Sequence, residues 1–133
     1  MTVTVNNLES KKDLKILIVD DIPTMLDLML QSLNSLGFFN ITQAIDGKIA
    51  LDLLFQENFD LLITDWMMPN MDGLELTTAI RNNEKLKDLK ILMVTSNNKK
   101  SQISSAIKSG VNEYLLKPYT LQDLEQHLNR LLL

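Results

Sequence analysis

Short apolar runs alternate with longer amphipathic stretches five times along the chain. The apolar runs predict strands over residues 14–19, 41–44, 61–64, 90–94 and 113–116. The stretches between them predict helices over residues 22–36, 47–56, 72–82, 99–109 and 121–132. Strands that are apolar on both faces are typical of parallel sheets covered by helices on each side. The pattern therefore predicts an α/β fold with a parallel sheet.

Proline and glycine residues lie at the ends of the predicted helices. Pro23 fits a first helical turn, and Gly37 and Gly110 follow helical stretches, as glycines at helix C-termini do. The chain has no internal repeat, low-complexity tract or interdomain linker. We expect one domain over residues 14–133, preceded by a flexible polar extension over residues 1–13.

The absence of cysteine and the distribution of charge exclude some kinds of site and partner. The chain has 133 residues and no cysteine, which excludes disulfides, thiolate metal sites and a catalytic cysteine. Its net charge is −4, with 8 Lys and Arg against 14 Asp and Glu up to residue 95, and 5 against 3 after it. The excess of acidic residues up to residue 95 makes nucleic acid an unfavourable partner. The mildly basic last third could receive an acidic protein segment or could carry ordinary solvated lysines.

Nothing in the chain is typical of a membrane or exported protein. No segment approaches the roughly 18 apolar residues of a membrane span. The N-terminal residues lack the basic start and apolar stretch of a signal peptide. We therefore expect a cytoplasmic protein without a membrane span.

Polar residues follow four of the five predicted strands. Asp20 and Asp21 follow the first strand, Asp65 follows the third, Thr95 closes the fourth and Lys117 follows the fifth. Because ligands of open α/β sheets bind at the carboxyl ends of the strands, these side chains should gather in one pocket. Three carboxylates in one place repel each other unless a cation joins them, and Mg²⁺ prefers such oxygen ligands together with phosphate oxygens. The sequence therefore predicts phosphoryl transfer.

Each of these residues suits a step of that chemistry. Asp65 could attack phosphorus in line and become an acyl phosphate. Asp20 and Asp21 could hold the metal, while Lys117 and Thr95 could offset charge on phosphoryl oxygens. Taken singly, each has a simpler reading: an aspartate as a helix cap, the threonine as a strand end, the lysine as a loop residue. Their joint position at strand ends favours the shared site.

The motifs resemble those of the receiver domains of bacterial response regulators. The matching stretches are ILIVDD at 16–21, LLITDWMMPNMDGLEL at 61–76, ILMVTS at 91–96 and SGVNEYLLKPYT at 109–120. The resemblance implies a flavodoxin-like, doubly wound (βα)5 fold whose five-stranded parallel sheet has the order 2-1-3-4-5. It also implies a phosphoacceptor, a metal site and a switch.

The resemblance implies which residues form the phosphorylation and metal site. It makes Asp65 the phosphoacceptor, and Asp20 with Asp21 the acidic pair that organises Mg²⁺. Asp65 itself and the backbone carbonyl of Met67 complete the expected ligands.

The remaining motif residues are assigned to the phosphoryl group and the switch. Lys117 is expected to contact the phosphoryl group, and Thr95 and Tyr114 to form the switch. The peptide bond between Lys117 and Pro118 is expected to be cis.

The resemblance also implies how the protein works. It would take a phosphoryl group from a histidine kinase or a histidine phosphotransfer domain, lose it slowly by itself, and act as a monomeric signalling protein, not an enzyme. Its features are most similar to single-domain chemotaxis regulators, whose target is the flagellar motor switch protein. The alternative is a phosphorelay shuttle that passes the phosphoryl group to a histidine phosphotransfer protein.

The first predicted helix bears on that alternative. We expect the sheet-facing residues of this helix to be Ile22, Met29, Leu33 and Leu36. Leu26 and Leu30 would then face outward, four residues apart. They would form either a docking strip for a helical phosphotransfer partner, which favours the relay, or an extra contact with the core.

Overall fold

Five strands and five helices alternate along the part of the chain that the computed structural model describes, which is residue 11 and residues 13–132. The strands are β1 (Lys15–Val19), β2 (Asn40–Ala44), β3 (Leu61–Thr64), β4 (Lys90–Thr95) and β5 (Glu113–Leu116). The helices are α1 (Pro23–Ser35), α2 (Gly47–Gln56), α3 (Gly73–Arg81), α4 (Lys100–Ser109) and α5 (Leu121–Leu132). Every boundary lies within one residue of its predicted position.

The strands form one parallel sheet in the order β2-β1-β3-β4-β5. The predicted flavodoxin-like α/β fold is therefore confirmed. The chain moves from β1 outward to β2 and then returns to the other side of β1 to form β3. This reversal opens a crevice at the carboxyl ends of β1 and β3, which is where such folds bind ligands.

Both faces of the sheet are buried. Leu17 and Val19 of β1 pack under α2, α3 and α4, whereas Ile16 and Ile18 pack under α1 and α5. All four side chains are 2% exposed or less. The central strands are apolar over residues 16–19, 61–63 and 91–94 because neither of their faces meets water there.

The orientation of α1 corrects the sequence analysis. Leu26, Met29 and Leu33 face the sheet, with 5%, 7% and 0% exposure, whereas Ile22 is 47% exposed. Ile22 precedes the helix as its N-cap residue with extended backbone dihedrals, so it does not share the helical stripe. Leu30 is half-buried against the same core. The outward orientation expected for Leu26 and Leu30 was therefore wrong, and of the two alternatives the extra contact with the core is confirmed.

The predicted extension over residues 1–13 falls mainly outside the described residues, which include only Lys11 and Asp13 of it. The Lys11 ammonium donates a hydrogen bond to the Leu36 carbonyl at 3.2 Å and lies 5.5 Å from the centre of the Phe38 ring. Lys11 therefore packs on the C-terminal end of α1. No helix in the described part of the chain is long and apolar enough to cross a membrane.

Candidate functional site

One lysine bridges two carboxylates at the carboxyl edge of the sheet. Lys117 follows β5, and its Nζ lies 3.2 Å from Asp20 Oδ2 and 3.0 Å from Asp65 Oδ2. The three side chains are 22%, 10% and 13% exposed, in that order. Since β1, β3 and β5 all end at this edge, the parallel sheet brings together residues that are far apart in sequence.

Burial and charge act against each other in this group. Burial raises the pKa of Asp20, even though a hydrogen bond from the Ile22 amide and the nearby Lys117 ammonium both lower it. Burial alone would lower the pKa of Lys117, but its hydrogen bonds and charge interactions with Asp65 and Asp20 outweigh that effect and raise it. Lys117 is therefore a firmly charged ammonium. With two carboxylates and one ammonium, the group as a whole favours a further cation.

The backbone around Asp65 is fixed from both sides. Its amide donates to the Val19 carbonyl at 3.0 Å, and the Trp66 amide donates to Asp65 Oδ1 at 2.6 Å. The Gly73 amide donates to the Trp66 carbonyl at 2.8 Å, which closes the loop between β3 and α3. A Cβ atom on Gly73 would lie 2.1 Å from the Asp65 carbonyl oxygen, so this close approach requires glycine. The loop thus holds the Asp65 carboxylate towards Lys117.

The loop between β2 and α2 is hydrogen-bonded to the loop between β3 and α3. The sequence did not predict this contact. Asp46 caps α2 through the Ile49 amide at 2.8 Å, and its other oxygen accepts a hydrogen bond from the Asn70 side chain at 2.9 Å. These two bonds, the Ile49 bond first, lower the pKa of Asp46. The Gly47 amide also donates to the Met71 carbonyl at 3.2 Å. The signals in the sequence were the Asp-Gly pair before a helix and an asparagine in a turn, where Asn70 has a φ of 68°.

The structure does not bring all the predicted metal ligands into one cluster. Asp21 is exposed and lies outside the ion-paired group of Asp20, Asp65 and Lys117. Within the described residues, no group of three or more His, Cys, Asp or Glu side chains is close enough to hold a metal ion. Met67, in the loop after Asp65, has a side chain that is 70% exposed. The chemistry of the donor set still fits Mg²⁺, which takes one or two carboxylates and leaves its other positions to water and phosphate.

The two predicted switch residues meet at a third residue. Thr95 ends β4 and is 2% exposed, and its Oγ1 accepts a long hydrogen bond of 3.5 Å from the Asn97 amide. The Tyr114 hydroxyl on β5 donates to the Asn97 carbonyl at 2.7 Å. Burial and then the Asp65 charge raise the pKa of Tyr114, which keeps its phenol protonated as a donor. The loop between β4 and α4 therefore connects Thr95 to Tyr114.

The remaining prediction from the motif concerns the backbone. The Lys117–Pro118 peptide bond is cis, as expected. The site as a whole offers a carboxylate nucleophile, a fixed ammonium and hard oxygen ligands at one sheet edge. This combination suits the acceptance of a phosphoryl group.

Comparison with known proteins agrees with this geometry. Residues 16–129 match the model of the response regulator receiver domain. The chain is 47% identical to the chemotaxis protein CheY of Pseudomonas aeruginosa, over 89% of this chain and 95% of that protein. It is 44% identical to the chemotaxis protein CheY-3 of Vibrio cholerae, over 90% and 92% of the two chains.

Solved structures give the same result. The structure of the chemotaxis response regulator CheY4 of Vibrio cholerae has a TM-score of 0.82 and 30% identity, and the match covers 90% of this chain and 98% of that one. The receiver domain of a sensor histidine kinase from Pseudomonas aeruginosa has a TM-score of 0.81 and 29% identity, over 89% and 96% of the two chains. That structure has a magnesium ion coordinated in its active-site cleft. The chain belongs to the response regulator receiver domain family and is a CheY-like chemotaxis response regulator that is switched by phosphorylation.

Proposed function

We propose that Asp65 is the phosphoacceptor and that a histidine kinase supplies the phosphoryl group. The observation that carries this proposal is the ion-paired group, in which Lys117 lies 3.0 Å from one oxygen of Asp65. A phosphoryl group attached to Asp65 would lie next to a charged ammonium that is already in position. We place the protein in the cytoplasm as a monomer, where a kinase can reach it.

In the transfer step, an oxygen of Asp65 attacks phosphorus in line. The bond between phosphorus and the imidazole nitrogen of the kinase histidine breaks, and that nitrogen keeps the electron pair. The product is an acyl phosphate on Asp65. Water later attacks the same phosphorus and regenerates the carboxylate, which is the slow self-dephosphorylation. In this proposal Lys117 and the Thr95 hydroxyl offset charge on the phosphoryl oxygens.

We assign the Mg²⁺ site to Asp20, Asp21, Asp65 and the backbone carbonyl of Met67. When bound, Mg²⁺ neutralises charge on the phosphoryl oxygens and the carboxylates. The supports are the burial of Asp20 next to Asp65, which disfavours two adjacent charges without a cation, and the magnesium ion in the related receiver domain. Asp21, on the exposed side of the site, would act through a water molecule or after a change of rotamer.

We further propose that phosphorylation is transmitted through Thr95, Asn97 and Tyr114. A phosphoryl oxygen that draws the Thr95 hydroxyl towards Asp65 removes an acceptor from the Asn97 amide. The Asn97 carbonyl then shifts relative to the Tyr114 hydroxyl, with which it has a 2.7 Å hydrogen bond. Both contacts involve Asn97, in the loop that leads into α4, so the surface formed by α4, β5 and α5 changes with phosphorylation.

The target that fits this surface is the flagellar motor switch protein. Three apolar side chains are exposed there: Ile107 on α4, Leu116 on β5 and Leu121 at the start of α5, at 47%, 39% and 44%. The segment from residue 96 onward carries 5 Lys and Arg against 3 Asp and Glu, which favours an acidic apolar peptide. The relay alternative loses its support, because Leu26 is buried and forms no docking strip.

Intact-protein mass spectrometry tests the transfer step. Incubation with acetyl phosphate and Mg²⁺ should add one phosphoryl mass to the protein. Excess chelator should remove this addition, because the carboxylates then repel the donor phosphate. Equal incorporation in chelator would contradict the assigned role of Mg²⁺.

Amide NMR spectra with a beryllium fluoride adduct on Asp65 test the switch. Signals of Thr95, Asn97 and Tyr114 should move, and affinity for a peptide of the motor switch protein should rise by roughly 5- to 150-fold. Asn112 lies at the opposite end of β5 and serves as a reference signal. Equal dissociation constants in the two states would contradict the motor target, while tighter binding of a phosphotransfer protein would support the relay instead.

A further inference from the structure

A cavity of about 450 Å³ opens next to the proposed phosphoacceptor, on the side of the sheet that α1 covers. Its floor is formed by Ile18, Ile63 and Val94, which lie near the ends of the three central strands. All three side chains are 3% exposed or less and belong to the same apolar core. The cavity is thus an apolar space that reaches from the active site towards the core.

The wall formed by α1 is also effectively apolar. It includes Leu26 and Met29, and its one hydroxyl, on Ser32, is already used in a 2.9 Å hydrogen bond to the Leu28 carbonyl. The Tyr119 hydroxyl on the opposite side lies 3.8 Å from the Met29 sulfur and also interacts with the Ser32 side chain. The volume lies within the range of small-molecule pockets, at about 300–1,000 Å³.

The charged groups of this cavity are all at one end. Asp20, Asp65 and Lys117 belong to its lining, and they are the same residues that form the ion-paired group. A molecule whose phosphoryl group is bound between Asp65 and Lys117 therefore has direct access to the cavity with the rest of its body. A ligand that uses both parts needs a phosphoryl head and a short apolar tail.

We propose that the cavity receives the apolar tail of small acyl phosphate donors, so that the protein selects donors with a longer acyl chain over acetyl phosphate. This inference rests on the proposed function of Asp65. In the reaction, an Asp65 oxygen forms the new bond to phosphorus, and the bond between phosphorus and the acyl oxygen breaks. The acyl group leaves as a carboxylate with the electron pair, and its chain stays in the cavity until release.

Acetyl phosphate and butyryl phosphate form a matched pair of donors. Their leaving carboxylates have nearly equal basicity, so their intrinsic reactivities are similar, and they differ by two methylene groups. Full burial of two methylenes predicts a rate ratio of roughly tenfold in favour of butyryl phosphate. The measured quantity is the second-order rate constant for addition of the phosphoryl mass, with Mg²⁺ present.

Two variants of α1 locate the effect. Ser32→Leu extends a side chain into the cavity, and the ratio of the butyryl to the acetyl rate should fall towards one. Gln31→Leu makes the same kind of change on the exposed side of α1, and the ratio should stay as in the parent protein. A parent ratio of one or less, or a ratio that Ser32→Leu leaves unchanged, overturns the proposal.

A binding measurement without reaction gives a second readout. Propylphosphonate with Mg²⁺ should shift the methyl signals of Leu26 and Met29, and methylphosphonate should not. Unshifted methyl signals at saturating propylphosphonate overturn the assignment of the cavity. If neither acyl phosphate modifies the protein, the proposed function of Asp65 fails; if both do so at equal rates, only the cavity assignment fails.

Discussion

Truncation of Lys117 tests whether the ion-paired group stabilises the fold. Lys117→Ala removes the ammonium that lies 3.2 Å from Asp20 and 3.0 Å from Asp65. The two carboxylates stay behind with only 10% and 13% exposure, and each loses its partner cation. The variant should therefore be destabilised by two uncompensated, adjacent negative charges.

The size of the effect follows from burial. Breaking a fully buried ion pair by removing one partner costs about 3–5 kcal/mol. Because Lys117 is 22% exposed and water reaches the site, we expect about 2 kcal/mol. For a domain of this length, 1 kcal/mol corresponds to roughly 4 °C in the unfolding midpoint, so the midpoint should fall by about 8 °C.

Thermal unfolding with and without Mg²⁺ provides the assay. Mg²⁺ should raise the midpoint of Lys117→Ala by more than it raises that of the parent protein, because no ammonium then competes for the carboxylates. The double variant Asp20→Asn/Lys117→Ala is the matched control, and it should be more stable than Lys117→Ala alone. A Lys117→Ala midpoint within 1 °C of the parent, or a double variant that is less stable than the single one, would refute this reasoning.

Three further variants test other parts of the structure. Gly73→Ala places a Cβ atom 2.1 Å from the Asp65 carbonyl oxygen, so phosphorylation should slow by at least about tenfold and stability should fall by about 2 kcal/mol; normal labelling kinetics would show that the loop adapts freely. Arg81→Ala removes five hydrogen bonds that one guanidinium donates to groups beyond the end of α3. Urea unfolding should show that the free energy of unfolding falls by about 2–3 kcal/mol, and Arg81→Lys should restore only part of it. Full recovery with lysine would contradict the need for a planar donor. Burial opposes ionisation of Glu113, but hydrogen bonds from Arg130 and His127 lower its pKa, so its contribution is present above its ordinary value of 4.5 and is lost as the pH falls through the folded value. Glu113→Gln should therefore be less stable than the parent by under about 1 kcal/mol at pH 7, with a gap that closes in acid; a constant gap at all pH values would exclude this source.

The sheet and the convergence of the site could be predicted from sequence for a simple physical reason. The central strands are buried on both faces, so each contains an unbroken apolar run that stands out from its surroundings. The first charged residue after such a strand marks its carboxyl end. This rule places Asp20 and Asp65 at one edge of the sheet, where Lys117 joins them after the edge strand β5.

The orientation of α1 follows from its periodicity once the angles are worked out. At about 100° per residue, Leu26 lies about 40° from Ile22 and about 20° from Leu33, on the same stripe as Met29. Leu26 therefore belongs to the buried face, and Leu30, about 60° from Leu33, lies at its margin. Ile22 is exposed because it lies outside the helix as the N-cap residue.

Contacts between loops could not be predicted from the sequence. The bond from Asn70 to Asp46 joins two loops that are 24 residues apart, and neither residue lies in an apolar pattern. The pairing of Lys117 with both carboxylates likewise depends on side-chain reach, not on strand position. Such contacts decide the electrostatics of the site, and they become visible only once the fold has brought the loops together.

The most direct test of the central claim is to identify the residue that carries the phosphoryl group. The protein is incubated with acetyl phosphate and Mg²⁺ and then treated with borohydride, which reduces an acyl phosphate on aspartate to the alcohol homoserine. Peptide mass spectrometry should find homoserine in place of Asp65, and Asp65→Asn should give none at any position. Homoserine at Asp20 or Asp21 in the parent protein, or an unchanged yield in Asp65→Asn, would contradict the assignment of Asp65 as the phosphoacceptor.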